Sequence, residues 1–204
     1  MVDERCSLSY GIVQPGDERP GGLPVVRPVN LTAKIVQLDG LKRIDASLAE
    51  AYARTKLQGG ELLLCVRGTT GTVSIAADEL AGANVTRGIV PVLFNSSLIT
   101  QQFGYYVLQS RGVQKQIRDK TYGAALMQIN IRDLRELLIP IPPLNEQESI
   151  ANRLDMLSME TSLLQDVYRN KLWDLQYLHQ SLLQQAFSGE LNLPPSQSVK
   201  EAAE

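Results

Sequence analysis

The 204-residue sequence is poor in the side chains on which most hydrolytic and metal-dependent enzymes rely. It contains one histidine, His179, and two cysteines, Cys6 and Cys65, which lie 59 positions apart. A zinc site draws on about four such ligands, so this inventory excludes a His- or Cys-rich metal site. His179 also lies within a strongly helical stretch, which is a poor place for a general base. We therefore expect no catalytic residues and no bound metal.

The sequence also predicts no disulfide framework, no signal segment and no membrane span. Two distant cysteines favour a reducing compartment. The first five residues are mostly charged, no apolar block follows them, and the longest apolar runs fall short of the roughly 20 residues that a span requires. We expect a soluble, cytoplasmic protein with no membrane contact.

The net charge of −2 hides an asymmetry along the chain. Residues 1–140 carry 16 basic and 13 acidic side chains, whereas residues 141–204 carry 4 basic and 9 acidic ones. A mildly basic body is compatible with a phosphate-bearing partner, and an acidic end with a protein partner.

The first 143 residues predict short strands mixed with short helices. Their Gly- and Pro-rich beginning favours loops and edge strands over a helix. Apolar patterning then predicts strands at 23–27, 33–38, 61–66, 72–76 and 83–94, and helices at 45–57 and 100–117. The fold class that we expect is α+β, with a mixed globular domain followed by a helical arm.

That arm is predicted to be one long α-helix. Residues 145–187 contain no Gly and no Pro, and at 1.5 Å per residue they span about 65 Å. Alternating steps of three and four residues give an apolar seam with coiled-coil spacing, formed by Leu154, Leu157, Leu164, Tyr168, Leu175, Leu178 and Leu182.

The outer face is expected to carry the acidic residues Glu146, Glu148, Asp155, Glu160, Asp166 and Asp174. A lone helix cannot bury such a seam against itself, so we expect an intermolecular coiled coil. A helical hairpin broken near Asn170 is the alternative.

A polar turn from Arg67 to Gly71 separates two of the predicted strands. It lacks the lysine and the following helix of a phosphate-binding P-loop, and no dinucleotide-binding glycine motif follows a strand. An arginine here can contact a guanine edge in a bidentate manner, while the hydroxyls and N–H groups of the turn can reach phosphates or bases. A plain hairpin turn is the alternative.

A second cationic segment, residues 111–120, precedes Tyr122 and Gly123. Four basic side chains at the end of a predicted helix suit the helix dipole, which explains part of the cluster without nucleic acid. An aromatic residue beside a glycine is typical of a recognition loop.

Several stretches together resemble the DNA-specificity subunit of type I restriction–modification systems, with one target-recognition domain and one conserved helical region. They are residues 60–71, 105–110, 129–134 with Gly123, 139–147 and 181–191. The most specific are Pro-Pro-Leu-x-Glu-Gln at 142–147 and Ala-Phe-Ser-Gly-Glu-Leu at 186–191. The resemblance covers nearly the whole chain.

The resemblance implies a non-catalytic subunit that binds double-stranded DNA and holds methyltransferase subunits, with restriction (nuclease and translocase) subunits joining to cleave. The candidate DNA contacts are then Arg67, Gly68, Thr69, Thr70, Arg87, Lys120 and Tyr122, with Arg27 as an outlying candidate. S-adenosylmethionine, ATP and Mg²⁺ are then expected only on the partners. A full family member has two target-recognition domains, separated by two long helices in an antiparallel coiled coil that fixes the gap between the halves of a bipartite site. This sequence matches half of that arrangement, so we expect a homodimer through the long helix.

The expected division is a target-recognition domain at 1–143, a spacer and dimerisation helix at 144–190, and a flexible tail at 191–204. Three alternatives stay open. They are a specificity subunit of another restriction class, a coiled-coil assembly protein without a DNA role, and an enzyme with its own site.

Overall fold

A small three-stranded sheet contains the first strand of the chain. The computed structural model describes residues 8–189. Strand β1 (Leu23–Val26) lies between β3 (Lys42–Ile44), with which it pairs antiparallel, and β6 (Asn84–Val85), with which it pairs parallel. Strand β3 was not predicted, because Lys42 and Arg43 interrupt any apolar run and only Ile44 is fully buried.

The second sheet carries the main core. Its order is β2 (Ile35–Val36), β5 (Val73–Ala76), β4 (Leu62–Cys65) and β7 (Ile89–Val92), with β4 antiparallel to both of its neighbours. All residues of β4, β5 and β7 are buried. Successive side chains of a strand point to opposite faces, so Leu62 and Leu64 join one apolar cluster while Leu63 and Cys65 join another. Both faces of this sheet are therefore covered.

The predicted strand 83–94 is two strands in different sheets. Strand β6 pairs with β1 in the small sheet, whereas β7 pairs with β4 in the large one. Between them Gly88 passes so close to Pro28 that a Cβ on this glycine would lie 2.6 Å from the proline Cγ. The prediction of a single strand at 83–94 was wrong because the chain turns at Gly88 and passes from the small sheet into the large one.

The predicted helix 45–57 is a 3-10 helix over Ala46–Thr55, capped by the Asp45 carboxylate, which accepts a hydrogen bond from the Ser47 N–H. Tyr52 has non-helical torsion angles (φ −116°, ψ 33°), so an α-helix cannot run through this segment. Shorter 3-10 helices cover Pro28–Asn30 and Asp78–Leu80.

The predicted helix 100–117 is two helices, α1 (Gln101–Gln109) and α2 (Arg111–Lys120). Ser110 lies between them with ψ 148°, and its hydroxyl accepts a hydrogen bond from the Val113 N–H. Serine competes for backbone partners and favours helix N-caps over helix interiors. Both helices pack on the large sheet through Phe103, Val107, Val113 and Ile117.

Helix α3 (Ile131–Arg135) and helix α4 (Leu144–Ser188) complete the described chain. The prediction of one long helix is confirmed, with no break near Asn170. Residues up to Leu154 form one compact unit, which includes the first turns of α4, and the chain from Asp155 onward forms the other. The predicted tail 191–204, Glu190 of the predicted arm, and Cys6 lie outside the described residues. Within residues 8–189, no helix is long and apolar enough to cross a membrane.

Candidate nucleic-acid interface

The turn at residues 67–71 connects β4 to β5 through two glycines with positive φ. Gly68 has φ 87° and Gly71 has φ 95°, a region that side-chain-bearing residues rarely adopt. The Gly71 N–H donates to the Cys65 carbonyl at 2.8 Å, and the Thr70 N–H donates to the Gly68 carbonyl at 2.8 Å. This tight closure leaves Gly68 and Thr69 exposed to solvent.

A hairpin at residues 122–128 is bound to this turn. Tyr122 and Gln128 exchange two backbone hydrogen bonds of 2.9 and 2.8 Å, and Gln128 also forms a bridge with Arg67. The Met127 carbonyl accepts from the Gly68 N–H at 2.9 Å and from the Thr70 hydroxyl at 3.2 Å. The two polar segments selected from the sequence are therefore parts of one surface.

The conformation of this hairpin depends on Gly123. Its φ is 124°, and a Cβ at this position would lie 2.3 Å from the Leu126 carbonyl oxygen. Tyr122 stays partly exposed, and its hydroxyl donates to Asn130 Oδ1. Gly123 is thus a requirement of the turn.

Three arginines at strand ends or between strands lie close together, at or near the turn of residues 67–71. Arg27 directly follows β1, Arg67 follows β4, and Arg87 lies between β6 and β7. Their backbones are linked, because the Thr86 N–H donates to the Val26 carbonyl at 2.9 Å and the Val66 N–H donates to the Gly88 carbonyl at 2.8 Å. We call Arg27, Arg67 and Arg87 the arginine trio.

Two members of the trio hold unused hydrogen-bond donors. The Nε atoms of Arg27 and Arg67 are buried and have no hydrogen-bond partner among the described residues. Arg87 is exposed and forms no ion pair within residues 8–189. A buried donor without a partner is costly.

Lys120 has a partner within the protein. Its Nζ donates to Glu136 Oε2 at 2.7 Å. This hydrogen bond raises the pKa of Lys120 and lowers the pKa of Glu136, and the attraction between the two charges acts in the same direction. Of the candidate DNA contacts, Lys120 is the one whose charge is paired within residues 8–189.

Arg118 was part of the basic segment in the sequence but was not selected as a contact. It lines a shallow pocket together with Gly68, Thr69, Thr70, Thr72, Thr121 and Met127. It is exposed and has no side-chain partner among the described residues. The contact of the turn with the hairpin places Arg118 here, and residue type alone does not reveal that contact.

Gln114 was also missed, and it anchors the turn from the side of α2. Its Nε2 donates to the carbonyls of Gly71 and Leu108, both at 2.8 Å. A glutamine in a helix gives no sequence signal for such a role.

The chemistry available at this surface is that of donors and cations. Within residues 8–189, no group of three His, Cys, Asp or Glu side chains is placed to hold a metal ion. The arginine trio, the threonine hydroxyls and the backbone N–H groups of the turn are suited to phosphate oxygens and to base edges.

The long helix exposes the whole predicted seam and a second apolar stripe. The seven seam residues from Leu154 to Leu182 are exposed in the single chain. At 3.6 residues per turn, a second set of exposed apolar residues lies on the opposite face, and we call it the outer stripe: Met156, Met159, Leu163, Trp173, Tyr177 and Phe187. At heptad spacing Glu146, Glu160 and Asp174 flank the seam, Glu148 and Asp155 lie between the seam and the outer stripe, and Asp166 falls within the outer stripe, so the acidic residues are spread over several faces of the helix.

The architecture, a mixed α+β body followed by one long helix, also occurs in solved structures of restriction–modification proteins. A chain from a structure described as showing complex assembly and conformational transition of the type I R-M system has a TM-score of 0.70 and 24% identity, over 92% of this chain and 45% of that one. The HsdS subunit from Thermoanaerobacter tengcongensis has a TM-score of 0.58 and 21% identity, over 90% of this chain and 43% of that one. The predicted fold class is confirmed.

The sequence comparison identifies the family. The model of the type I restriction modification DNA specificity domain matches residues 16–171, so the chain belongs to this family. The type I restriction enzyme EcoBI specificity subunit of Escherichia coli is 26% identical over 191 residues, which are 94% of this chain and 40% of that protein. The predicted family is confirmed, and the chain spans about two fifths of the length of this relative.

Proposed function

We propose that this chain is the DNA-recognising component of a type I restriction–modification assembly. We propose further that it binds double-stranded DNA through the turn 67–71, the hairpin 122–128 and the arginine trio. The observation that carries the proposal is the convergence of these segments on one surface that is rich in cations and hydrogen-bond donors. Membership in the specificity-domain family supports the same ligand.

The roles that we propose follow from the chemistry of each group. Arg67, at the centre of the surface, contacts a base edge, for which its planar guanidinium is suited. Gly68, Thr69 and Thr70 present backbone and hydroxyl groups to the DNA, and Tyr122 contacts it from the hairpin. Arg27, Arg87 and Lys120 contact phosphates, and we add Arg118 to this set because it lines the pocket beside Thr69.

Selection of duplexes from a random library tests the DNA proposal. A specific binder enriches one bipartite sequence, and its affinity falls steeply with salt because bound phosphates release counterions. Arg153→Ala removes one positive charge from an exposed position on α4. It serves as the control for the effect of charge alone when an arginine of the trio is replaced by alanine. Recovery of no preferred sequence would favour an assembly protein without a DNA role.

We propose that the seam pairs two copies of the chain. Each fully buried leucine contributes about 1.5–3 kcal/mol, and the seam offers five leucines and a tyrosine beyond the compact unit. A closed pair with two-fold symmetry presents two equivalent DNA surfaces, so the target is an interrupted palindrome. Light scattering behind a size-exclusion column measures this association directly.

We propose that the outer stripe binds a methyltransferase subunit. A second copy that covers the seam leaves the outer stripe exposed, and exposed apolar surface of this extent marks an interaction site. The chain itself then carries no catalytic group, and S-adenosylmethionine, ATP and Mg²⁺ belong to methyltransferase and restriction subunits. An assembly that acts on cellular DNA works in the cytoplasm.

Co-expression with a candidate methyltransferase subunit tests this assembly. Methylated adenines in the host DNA should then fall within the sequence that the purified chain selects. Methylation without the chain, or at unrelated sequences, would contradict its role as the specificity component.

A further inference from the structure

A shallow pocket lies where the turn 67–71, the hairpin 122–128 and the end of α2 meet. Its volume is about 460 Å³, within the range of roughly 300–1,000 Å³ that small-ligand sites have. The pocket belongs entirely to the compact unit that ends at Leu154. Four threonines and a methionine make up most of its lining: Thr69, Thr70, Thr72, Thr121 and Met127.

Two of these threonines use their hydroxyl groups within the chain. The Thr70 hydroxyl donates to the Met127 carbonyl at 3.2 Å, and the Thr121 hydroxyl donates to the Ile117 carbonyl at 2.6 Å. A hydroxyl has a single proton to donate, so these side chains offer a ligand their methyl groups and acceptor oxygens. The Met127 side chain, which is 44% exposed, adds a flexible apolar surface.

This lining is poorly suited to a phosphate. A phosphate oxygen requires cations or N–H donors, and Arg118 is the only cation among the described residues that line the pocket. The backbone N–H groups of Thr72 and Thr121 donate to the carbonyls of Thr69 and Arg118. The pocket therefore suits an apolar group of the DNA, next to a phosphate that Arg118 contacts.

We propose that the pocket receives the 5-methyl group of a thymine in the major groove of the target DNA. The proposal rests on the DNA recognition proposed above and specifies one base that the chain reads. The 5-methyl group distinguishes the thymine edge in the major groove, and threonine methyl groups are among the side-chain groups that contact it.

Thr69 is suited to bind the second group on the thymine edge. Its Oγ1 lies 3.4 Å from Cys65 Sγ, and sulfur is a weak hydrogen-bond partner. The Thr69 hydroxyl can therefore donate to the thymine O4, an acceptor on the same major-groove edge as the methyl group. One donor and one methyl-lined pocket would then read an A·T pair.

The turn restricts where this thymine lies relative to the base that Arg67 contacts. Arg67 and Thr69 are two residues apart, a distance of at most about 7 Å, and successive bases of one strand are about 3.4 Å apart along the duplex. We expect the thymine within about three base pairs of the position at which Arg67→Ala relaxes specificity.

Deoxyuridine substitution tests the pocket, because uracil differs from thymine only by the missing methyl group. Each thymine of the selected duplex is replaced singly, and the affinity of the full-length chain is measured by fluorescence anisotropy. We expect a loss of about fourfold at one thymine position, which corresponds to about 0.8 kcal/mol for one buried methyl-sized group. At the same position, 5-methylcytosine is expected to bind better than cytosine by a similar factor.

Variants that remove apolar groups of the lining assign this loss to the pocket. Thr70→Ser and Thr121→Ser delete one methyl group each and keep the hydroxyl, and Met127→Ala keeps the backbone carbonyl. In each variant the ratio of the affinities for the thymine and uracil duplexes is expected to fall from about fourfold toward one. Since both duplexes are titrated with the same protein, an unfolded fraction affects both affinities equally and leaves the ratio unchanged.

Thr161→Ser is the matched control. The Thr161 hydroxyl donates to the Leu157 carbonyl, four residues earlier, at 2.7 Å, just as the Thr121 hydroxyl donates to the Ile117 carbonyl. Thr161 lies on α4, outside the compact unit, so this variant should keep the full ratio.

The outcomes separate the methyl pocket from the proposed function. A chain that selects a sequence but binds the thymine and uracil forms equally at every position would overturn the pocket and leave DNA recognition standing. A ratio that persists unchanged in all three pocket variants would do the same. A chain that selects no sequence would overturn both proposals.

Discussion

The side-chain oxygen of Gln147 accepts a hydrogen bond from the backbone N–H of Thr100 at 2.9 Å. The Nε2 of the same side chain donates to the carbonyls of Leu98 at 2.7 Å and Pro142 at 2.8 Å. Thr100 caps α1, and Gln147 lies fully buried in the first turn of α4. One side chain thus joins the starts of both helices.

Replacing Gln147 by leucine should destabilise the globular unit strongly. The leucine keeps the volume but leaves three backbone groups without a partner, at about 1–3 kcal/mol for each unsatisfied group. We expect a loss of at least about 3 kcal/mol, which for a unit of this size lowers the melting temperature by roughly 10 °C. Thermal unfolding followed by circular dichroism measures this. Gln176→Leu, at an exposed position of α4, should leave the transition unchanged, and equal transitions for the two variants would contradict the anchoring role.

Replacing Gly123 by alanine should impair DNA binding more than folding. Its Cβ would meet the Leu126 carbonyl oxygen at 2.3 Å, so the hairpin must change its conformation and with it the position of Tyr122. The matched control is Gly112→Ala in α2, where nothing lies within 4 Å of the new atom. Anisotropy titrations with the selected duplex should show weaker binding for G123A alone. Equal affinities would mean that the hairpin is not part of the DNA surface.

The sequence predicted α4 and the central strands because strong, local signals define them. A stretch of 45 residues without Gly or Pro, bounded by Pro143 and Gly189, leaves few alternatives to a helix. The run at 62–66 is apolar throughout, and both faces of β4 are buried. Such elements require no knowledge of their neighbours.

The elements that were missed depend on contacts distant in sequence. Strand β3 forms because it pairs with the edge of β1. The segment 83–94 divides into two strands because its two halves pair with strands of different sheets. The same limit applies to the site, since the contact of Met127 with Gly68 that joins the turn to the hairpin spans 59 residues. Residue types indicated the arginines and threonines, but not that Arg118 and Gln114 lie beside them.

Arg67 is the residue on which sequence discrimination should depend. Arg67→Ala is expected to cost about 1–3 kcal/mol on the selected duplex and to relax specificity at one position, because a bidentate base contact is lost. Arg67→Lys keeps the charge but not the planar fork, so it should recover nonspecific affinity and not discrimination. Competition titrations with selected and random duplexes separate these effects. An equal loss on both duplexes would assign Arg67 to a phosphate instead.

Glu136 should restrain DNA binding by holding Lys120. Glu136→Gln removes the carboxylate and releases the amino group, so affinity should rise, whereas Lys120→Gln should lower it and reduce the salt dependence by about one phosphate contact. In the double variant the gain from Glu136→Gln should disappear. A gain that persists without Lys120 would show that Glu136 acts only through its general negative charge.

The same ion pair predicts a specific response to pH. The pKa of Glu136 is lowered in the folded protein by the hydrogen bond from Lys120, so the pair is intact above the usual carboxyl range and is lost as the pH falls through the lowered pKa. Lys120→Met should raise the pKa of Glu136, which an NMR titration of its side-chain carboxyl carbon measures. An unchanged titration would mean that the pair does not persist in solution.

Two adjacent leucines should separate the two faces of α4. Leu164 lies on the seam and Leu163 on the outer stripe, and both are exposed to a similar degree, 55% and 60%. Leu164→Ala should weaken self-association by about tenfold or more, because the lost contact occurs twice in a symmetric pair. Leu163→Ala should leave self-association intact and lower the retention of a methyltransferase subunit in a pull-down. The two variants have the same composition and nearly the same helix position, so differences in folding or solubility cannot account for opposite results. If both variants weaken the same association, a single apolar surface serves both partners and the assignment of separate faces is wrong.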